Sequence, residues 1–140
     1  MFSRTLLAAV TLFISTGAAS SEVGGQPREW RAQEISGLIK QSGKAVPELA
    51  VHIVRGWSRC RFSNNSDVTN ESGEFSIQGP QLPRGTSLSA TICIYNGAVL
   101  VARDWFASNA EKFRLECNLS ASLERVSTKL DTNNCEFART

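Results

Sequence analysis

Apolar and polar residues alternate one for one along most of this chain, the period of a half-buried β-strand rather than of a helix. Ile35, Gly37 and Ile39 share one face of a first segment, and Leu49, Val51 and Ile53 share one face of a second. Further strands are predicted over 57–62, 74–77 and 87–95. In the last of these, Leu88, Ala90, Ile92 and Ile94 fall on one side and leave Cys93 on the other. Residues 98–106 include the run V-L-V-A, apolar on both faces, as expected of a strand covered on both sides. The longest alternation sets Phe113, Leu115, Cys117, Leu119, Ala121 and Leu123 against Lys112, Arg114, Glu116, Asn118, Ser120 and Ser122, predicting a strand to about Ser122. Leu119, Leu123, Val126 and Leu130 also fit helical spacing, so 124–130 stays open between strand and short helix.

Turn residues punctuate these segments. Ser42-Gly43 and Pro47 separate the first two strands. In V-T-N-E-S-G-E-F-S-I-Q-G, residues 68–79, a tight turn at Ser72-Gly73 is followed at once by alternating Phe75 and Ile77, which reads as a hairpin. Asn96-Gly97 predicts a type I′ hairpin, whose two central positions both need positive φ. Seven short strands at this spacing indicate an antiparallel, two-sheet Greek-key sandwich.

The run I-S-G-L-I-K-Q-S-G-K-A-V-P-E-L-A-V-H-I-V over 35–54, the segment 68–79 and L-P-R-G-T over 82–86 resemble the carboxypeptidase regulatory-like domain of the transthyretin (prealbumin) type. The likeness covers about residues 35–97, and it rests on turn chemistry rather than on catalytic residues. It implies an all-β, seven-stranded antiparallel Greek-key β-sandwich, transthyretin-like, with a noncatalytic structural, folding or adhesion role. Enzymes on the transthyretin fold, such as hydroxyisourate hydrolase, use several histidines, an arginine and a C-terminal Tyr-Arg-Gly-Ser motif; this chain ends E-F-A-R-T. Intradiol dioxygenases hold iron with two tyrosines and two histidines, and only Tyr95 and His52 occur here.

A short basic start ending at Arg4, an apolar run over 5–14 and small residues over 15–21 read as a secretory signal peptide spanning 1–20. The apolar run is about ten residues, short of the roughly 20 a membrane-spanning helix needs. The expected organisation is a signal peptide (1–20), an extended lead-in (21–33) in which Trp30 packs on the first strand, a β-sandwich domain (34–123) and a C-terminal tail (124–140) tied by a disulfide. That places the protein outside the cell or in a periplasm. Cys60, Cys93, Cys117 and Cys135 all follow the leader, and four cysteines in an oxidising compartment read as two disulfides. Three pairings are possible. The outward position of Cys93 favours the tail cysteine Cys135 as its partner, leaving Cys60 with Cys117.

The formal net charge is only +2, which gives no electrostatic reason to expect nucleic acid as the partner. Arg55, Arg59 and Arg61 are the one basic concentration and read as a solvated face. With a single histidine, His52, pointing away from the predicted core, no nucleophile–base pair is expected, so no catalytic residue and no cofactor is assigned. No metal is assigned either: Asn64, Asn65, Ser66, Asp67, Asn70 and Glu71 are rich in oxygen but do not fit a calcium-binding loop, and turns use the same residues. Asn64, Asn70 and Asn118 head Asn-x-Ser sequons. Trp57, Tyr95 and Trp105 lie at strand ends or beside turns and are the candidate ligand-binding residues, suited to a protein or polysaccharide partner. The expected function is an exported, non-enzymatic binding or structural module. Its alternatives are a carbohydrate-binding domain using the tryptophans, and an inhibitor of a secreted hydrolase using a stiff loop over 79–86 with Pro80, Pro83 and Gly85.

Overall fold

Nine strands and no helix make up residues 29–138, the part of the chain that the computed structural model describes. The expected signal peptide (1–20) and residues 21–28 of the expected lead-in lie outside the described residues. In chain order the strands are β1 (Trp30–Gln41), β2 (Lys44–Ala45), β3 (Ala50–Arg55), β4 (Ser66–Val68), β5 (Glu74–Pro83), β6 (Leu88–Asn96), β7 (Val99–Ser108), β8 (Lys112–Leu119) and β9 (Cys135–Phe137). One sheet runs β2-β1-β8-β9, with β5 beside β1 on the side that β2 also uses. The other runs β4-β3-β6-β7.

The period-two faces meet as expected. Ile35, Ile39, Phe75, Ile77 and Leu115 from the first sheet share one core with Val51, Ile53, Ala90, Ile92 and Phe106 from the second. Each such side chain contributes about 1.5–3 kcal/mol on burial. Gly37 belongs to this face because it pairs with Phe75 on β5 and with Leu115 on β8, leaving no room for a side chain between them.

The architecture departs from the antiparallel expectation in one ladder: β1 and β8 run parallel, from Glu34 beside Lys112 to Gln41 beside Leu119. The short link after β7 carries the chain from the edge of the second sheet to the first, and β8 arrives pointing the same way as β1. Alternation is blind to this, because a strand shows the same in-out pattern whichever way its neighbour runs. Residues 57–62 are not the expected strand but an irregular loop, and the edge beside β3 is taken by β4, where Asp67 pairs with Val51. Residues 120–134 contain neither helix nor strand. Trp30 is the first residue of β1 and stands 60% exposed rather than packing as lead-in.

The turns hold with two adjustments. Ser42 and Gly43 both have positive φ, 51° and 79°, and close the β1–β2 hairpin. Gly73 (φ 74°) turns the chain too, with Asn70 Oδ1 accepting the Ser72 and Glu74 N–H groups, but it links β4 in one sheet to β5 in the other instead of closing a hairpin. At the β6–β7 hairpin Asn96 pairs with Val99, so Gly97 and Ala98 are the central residues and only Gly97 (φ 63°) is left-handed. Glycine at the first central position is the type II′ arrangement, one residue along from the predicted type I′ turn.

Both disulfides form, but not in the expected pairs. They are Cys60–Cys93 and Cys117–Cys135. Cys93 does point outward, opposite His52, yet it is the loop after β3 that folds back over this face and brings Cys60 down on it. Cys117 shares the inner face of β8 with Leu115 and Leu119 and meets Cys135 directly across the β8–β9 ladder. The two bridges thus serve opposite sides of the second sheet. No helix among the described residues is long and apolar enough to cross a membrane.

Candidate functional face on the second sheet

The outer side of the second sheet is covered by a second, smaller core. Val54, Cys60, Cys93, Tyr95 and Leu100 cluster there, with Val126 of the tail packed against them. Two segments make the cover. The loop after β3 is fastened to the sheet at Gly56, whose N–H donates to the Ser89 carbonyl, and at Ser58, whose N–H donates to Thr91 Oγ1. The Cys60 N–H donates to the carbonyl of Thr128, which joins loop to tail, and the Val126 N–H donates to the Leu100 carbonyl.

Arg103 lies under both segments. It is 2% exposed on β7, its Nη2 donates to the Ser58 carbonyl of the loop at 2.9 Å, and its Nη1 pairs with Asp131 of the tail. The Thr132 N–H adds a bond to the Arg103 carbonyl at 2.7 Å. The next residue, Asp104, points the other way, into the seam between the sheets, where its carboxylate accepts the N–H groups of Asn133, Asn134 and Cys135 at 2.6–2.7 Å. Burial pushes this carboxyl above the usual aspartate range, while the three donors pull against that shift. Two adjacent residues of one strand therefore hold Asp131–Cys135, the last stretch of the tail leading into β9.

Trp57 and Trp105, the two tryptophans singled out from sequence, come to the same end of this face. Trp57 is 72% exposed between the Gly56 and Ser58 anchors. Trp105 pairs with Thr91 across the β6–β7 ladder, and its Nε1 donates to Ser89 Oγ at 3.0 Å. The Trp105 ring and the backbone on either side of Trp57 are thus both tied to the Ser89–Thr91 stretch of β6. Tyr95 is not with them: it is buried, stacked at 4.7 Å on Phe62 and edge-on at 5.6 Å to His52. Burial also pushes its hydroxyl above the usual tyrosine range. It belongs to the second core, because an irregular loop rather than solvent lies over its strand. Phe62, which alternation assigned to a strand, is instead the exposed lid over Tyr95.

The remaining candidates resolve into structural roles. His52 Nδ1 accepts the Ser63 N–H at 2.9 Å, while the Ser63 hydroxyl donates to the Ile53 carbonyl, so serine and histidine meet without forming a nucleophile–base pair. In the oxygen-rich stretch, the Asp67 carboxylate accepts the Val68 and Ser76 N–H groups, and Asn70 caps its turn. Those oxygens are spent on backbone donors. Among the described residues no group of three His, Cys, Asp or Glu side chains is placed to hold a metal. Residues 79–83 form the end of β5 rather than a free loop: Gln81–Pro83 pair with Trp30–Ala32, and Gly79 and Pro80 make a bulge opposite Gln33. A groove of about 370 Å³ opens at the seam, floored by Ile92 and Leu115 and rimmed by Trp105 and Phe137. Its buried carboxylate, Asp104, is already committed to the tail.

No protein-family model matches the chain, and no curated protein matches it.

Proposed function

We propose that the protein is an exported, non-enzymatic binding module, a disulfide-stabilised sandwich of the transthyretin-like, carboxypeptidase regulatory-like kind, whose recognition surface is the outer side of the second sheet. The observation that carries this reading is Trp57. A large ring stands 72% exposed on a loop braced by a disulfide, by backbone hydrogen bonds and by a buried arginine. A ring held that way loses little conformational freedom when a partner covers it, which is how a rigid anchor contributes affinity. Two disulfides and the leader pattern support export.

Among partners, a carbohydrate is favoured by the second ring on the same face, since Trp57 and Trp105 can each lie flat on a sugar. Native gels cast with individual polysaccharides test this with the wild type, Trp57→Ala and Trp105→Ala. Retardation of the wild type that weakens in either variant is the expected result. Equal mobility of all three proteins in every gel removes the carbohydrate reading.

A further inference from the structure

Resting on that assignment of the face, we infer that its ligand is a linear polysaccharide carrying carboxylate or sulfate groups. Along 55–61 the exposed side chains are Arg55, Trp57, Arg59 and Arg61, and the intervening Ser58 and Cys60 turn inward as anchors. The tail adds Arg125 and Lys129, the latter directly after the Thr128 carbonyl that receives the Cys60 N–H. None of these five cations has an ion-pair partner among the described residues, whereas the other described arginines, Arg31, Arg84, Arg103 and Arg114, are all paired. Neither 55–63 nor 125–130 contains an acidic residue.

Among the described arginines, charge is therefore left over on this face alone, and the missing counter-charge belongs to the partner. Four of the five are arginines, whose planar fork matches the two oxygens of a carboxylate or sulfate. Ring and guanidinium alternate along one braced stretch, which suits a polymer that presents ring faces and oxyanions in repetition. An acidic peptide supplies the charge without the rings, and a bilayer surface supplies charge in a plane rather than along a line.

The test uses the full exported chain with both disulfides formed, titrated with polygalacturonate, heparin, neutral dextran, poly-glutamate and vesicles of phosphatidylglycerol in phosphatidylcholine. Variants are Arg59→Gln/Arg61→Gln, Trp57→Ala and, on the opposite face, Lys112→Gln/Arg114→Gln. Thermal melts confirm that each remains folded. Binding of polygalacturonate or heparin is expected, weaker by about tenfold in the loop arginine pair, weaker in Trp57→Ala, unchanged in the opposite-face pair, and falling with salt. The two polymers separate carboxylate from sulfate recognition. Equal losses in the loop pair and the opposite-face pair, or poly-glutamate bound as tightly as the sugars, would overturn the inference as mere charge attraction. Vesicles bound without any soluble polymer would overturn it in favour of a membrane surface. Dextran bound as tightly as the anionic polymers overturns the inference and leaves the carbohydrate-binding face standing; no polymer bound at all takes both down.

Discussion

Replacing Gly37 by alanine tests the packing that brings the two sheets together. A Cβ built at Gly37 collides with the Phe75 ring and lies 2.6 Å from the carbonyl oxygen of Leu115. Phe75 is 3% exposed within the core, so its ring has no open volume to move into. The Leu115 oxygen is backbone of β8, held in register beside β1, and cannot swing away as a side-chain tip would. Overfilling a packed core costs about 1–3 kcal/mol, and a rigid backbone atom as obstacle argues for the upper part of that range. Alanine recovers about 0.4–1 kcal/mol by restricting the unfolded chain. The net expectation is a loss of about 2 kcal/mol, or about 8 °C in Tm for a domain near this size. Urea unfolding and calorimetry of the oxidised protein measure it. Shrinking the obstacle supplies the control, since in a Phe75→Leu background the same Gly37→Ala change should cost about 1 kcal/mol less, with the remainder due to the Leu115 oxygen. A Gly37→Ala protein that melts at or above the wild-type temperature, or a cost indifferent to Phe75→Leu, refutes the reasoning.

Further outcomes follow from the clamps on the tail and loop. Asp131→Ala strips the ion-pair partner from an arginine that is 2% exposed, whereas Arg103→Met leaves behind a carboxylate that water can reach, so urea unfolding should show the first substitution costing more, about 3 kcal/mol against about 1. Cys60→Ser/Cys93→Ser opens a link across 33 residues and should lower stability by about 3–4 kcal/mol, with faster amide exchange confined first to 56–65. Because the folded state holds the Asp104 proton more tightly than the unfolded chain does, this group's contribution declines as pH rises from its ordinary value of 3.8 through the raised one and is level above; the slope, read by urea unfolding between about pH 3.5 and 6, should vanish in Asp104→Asn. Glu116 faces Glu136 directly across the β8–β9 ladder, so Glu136→Lys should raise stability by about 0.5 kcal/mol in low salt and less in high salt, measured by thermal melts.

How far these features could be read from residues alone depends on what alternation encodes. It reports which side chains share a face, and on that point it served well: Ile35 with Ile39, Val51 with Ile53, and Ala90 with Ile92 all enter one core, and Cys93 points away from it. It does not report which strand lies alongside. The parallel β1–β8 ladder and the inter-sheet role of the Ser72-Gly73 turn were therefore invisible: the turn itself was legible, but it was read as closing a hairpin. Cysteine pairing shows the same boundary. Alternation already set Cys117 among inward residues and Cys93 among outward ones, but it says nothing of a loop that folds back, and so nothing of Cys60.

The proposed recognition face lies just where the ladder of β3 ends. Residues 56–61 keep an in-out alternation without belonging to any ladder, because their inward members are pinned one at a time, Gly56 to Ser89, Ser58 to Thr91 and Cys60 to Cys93. A true strand here would present its backbone to a neighbour and its outward side chains to water as an ordinary edge. A loop laid flat over a second core does something else: it lifts Trp57, Arg59 and Arg61 clear of the sheet while the disulfide and Arg103 brace the loop from beneath. The same apolar residues that made 98–106 read as covered on both sides, Leu100 above all, exist to hold that loop and the tail in place. The second core is thus the structural condition for the exposed face, and loosening it through Cys60 or Arg103 should disturb recognition at Trp57 before it disturbs the sheets beneath.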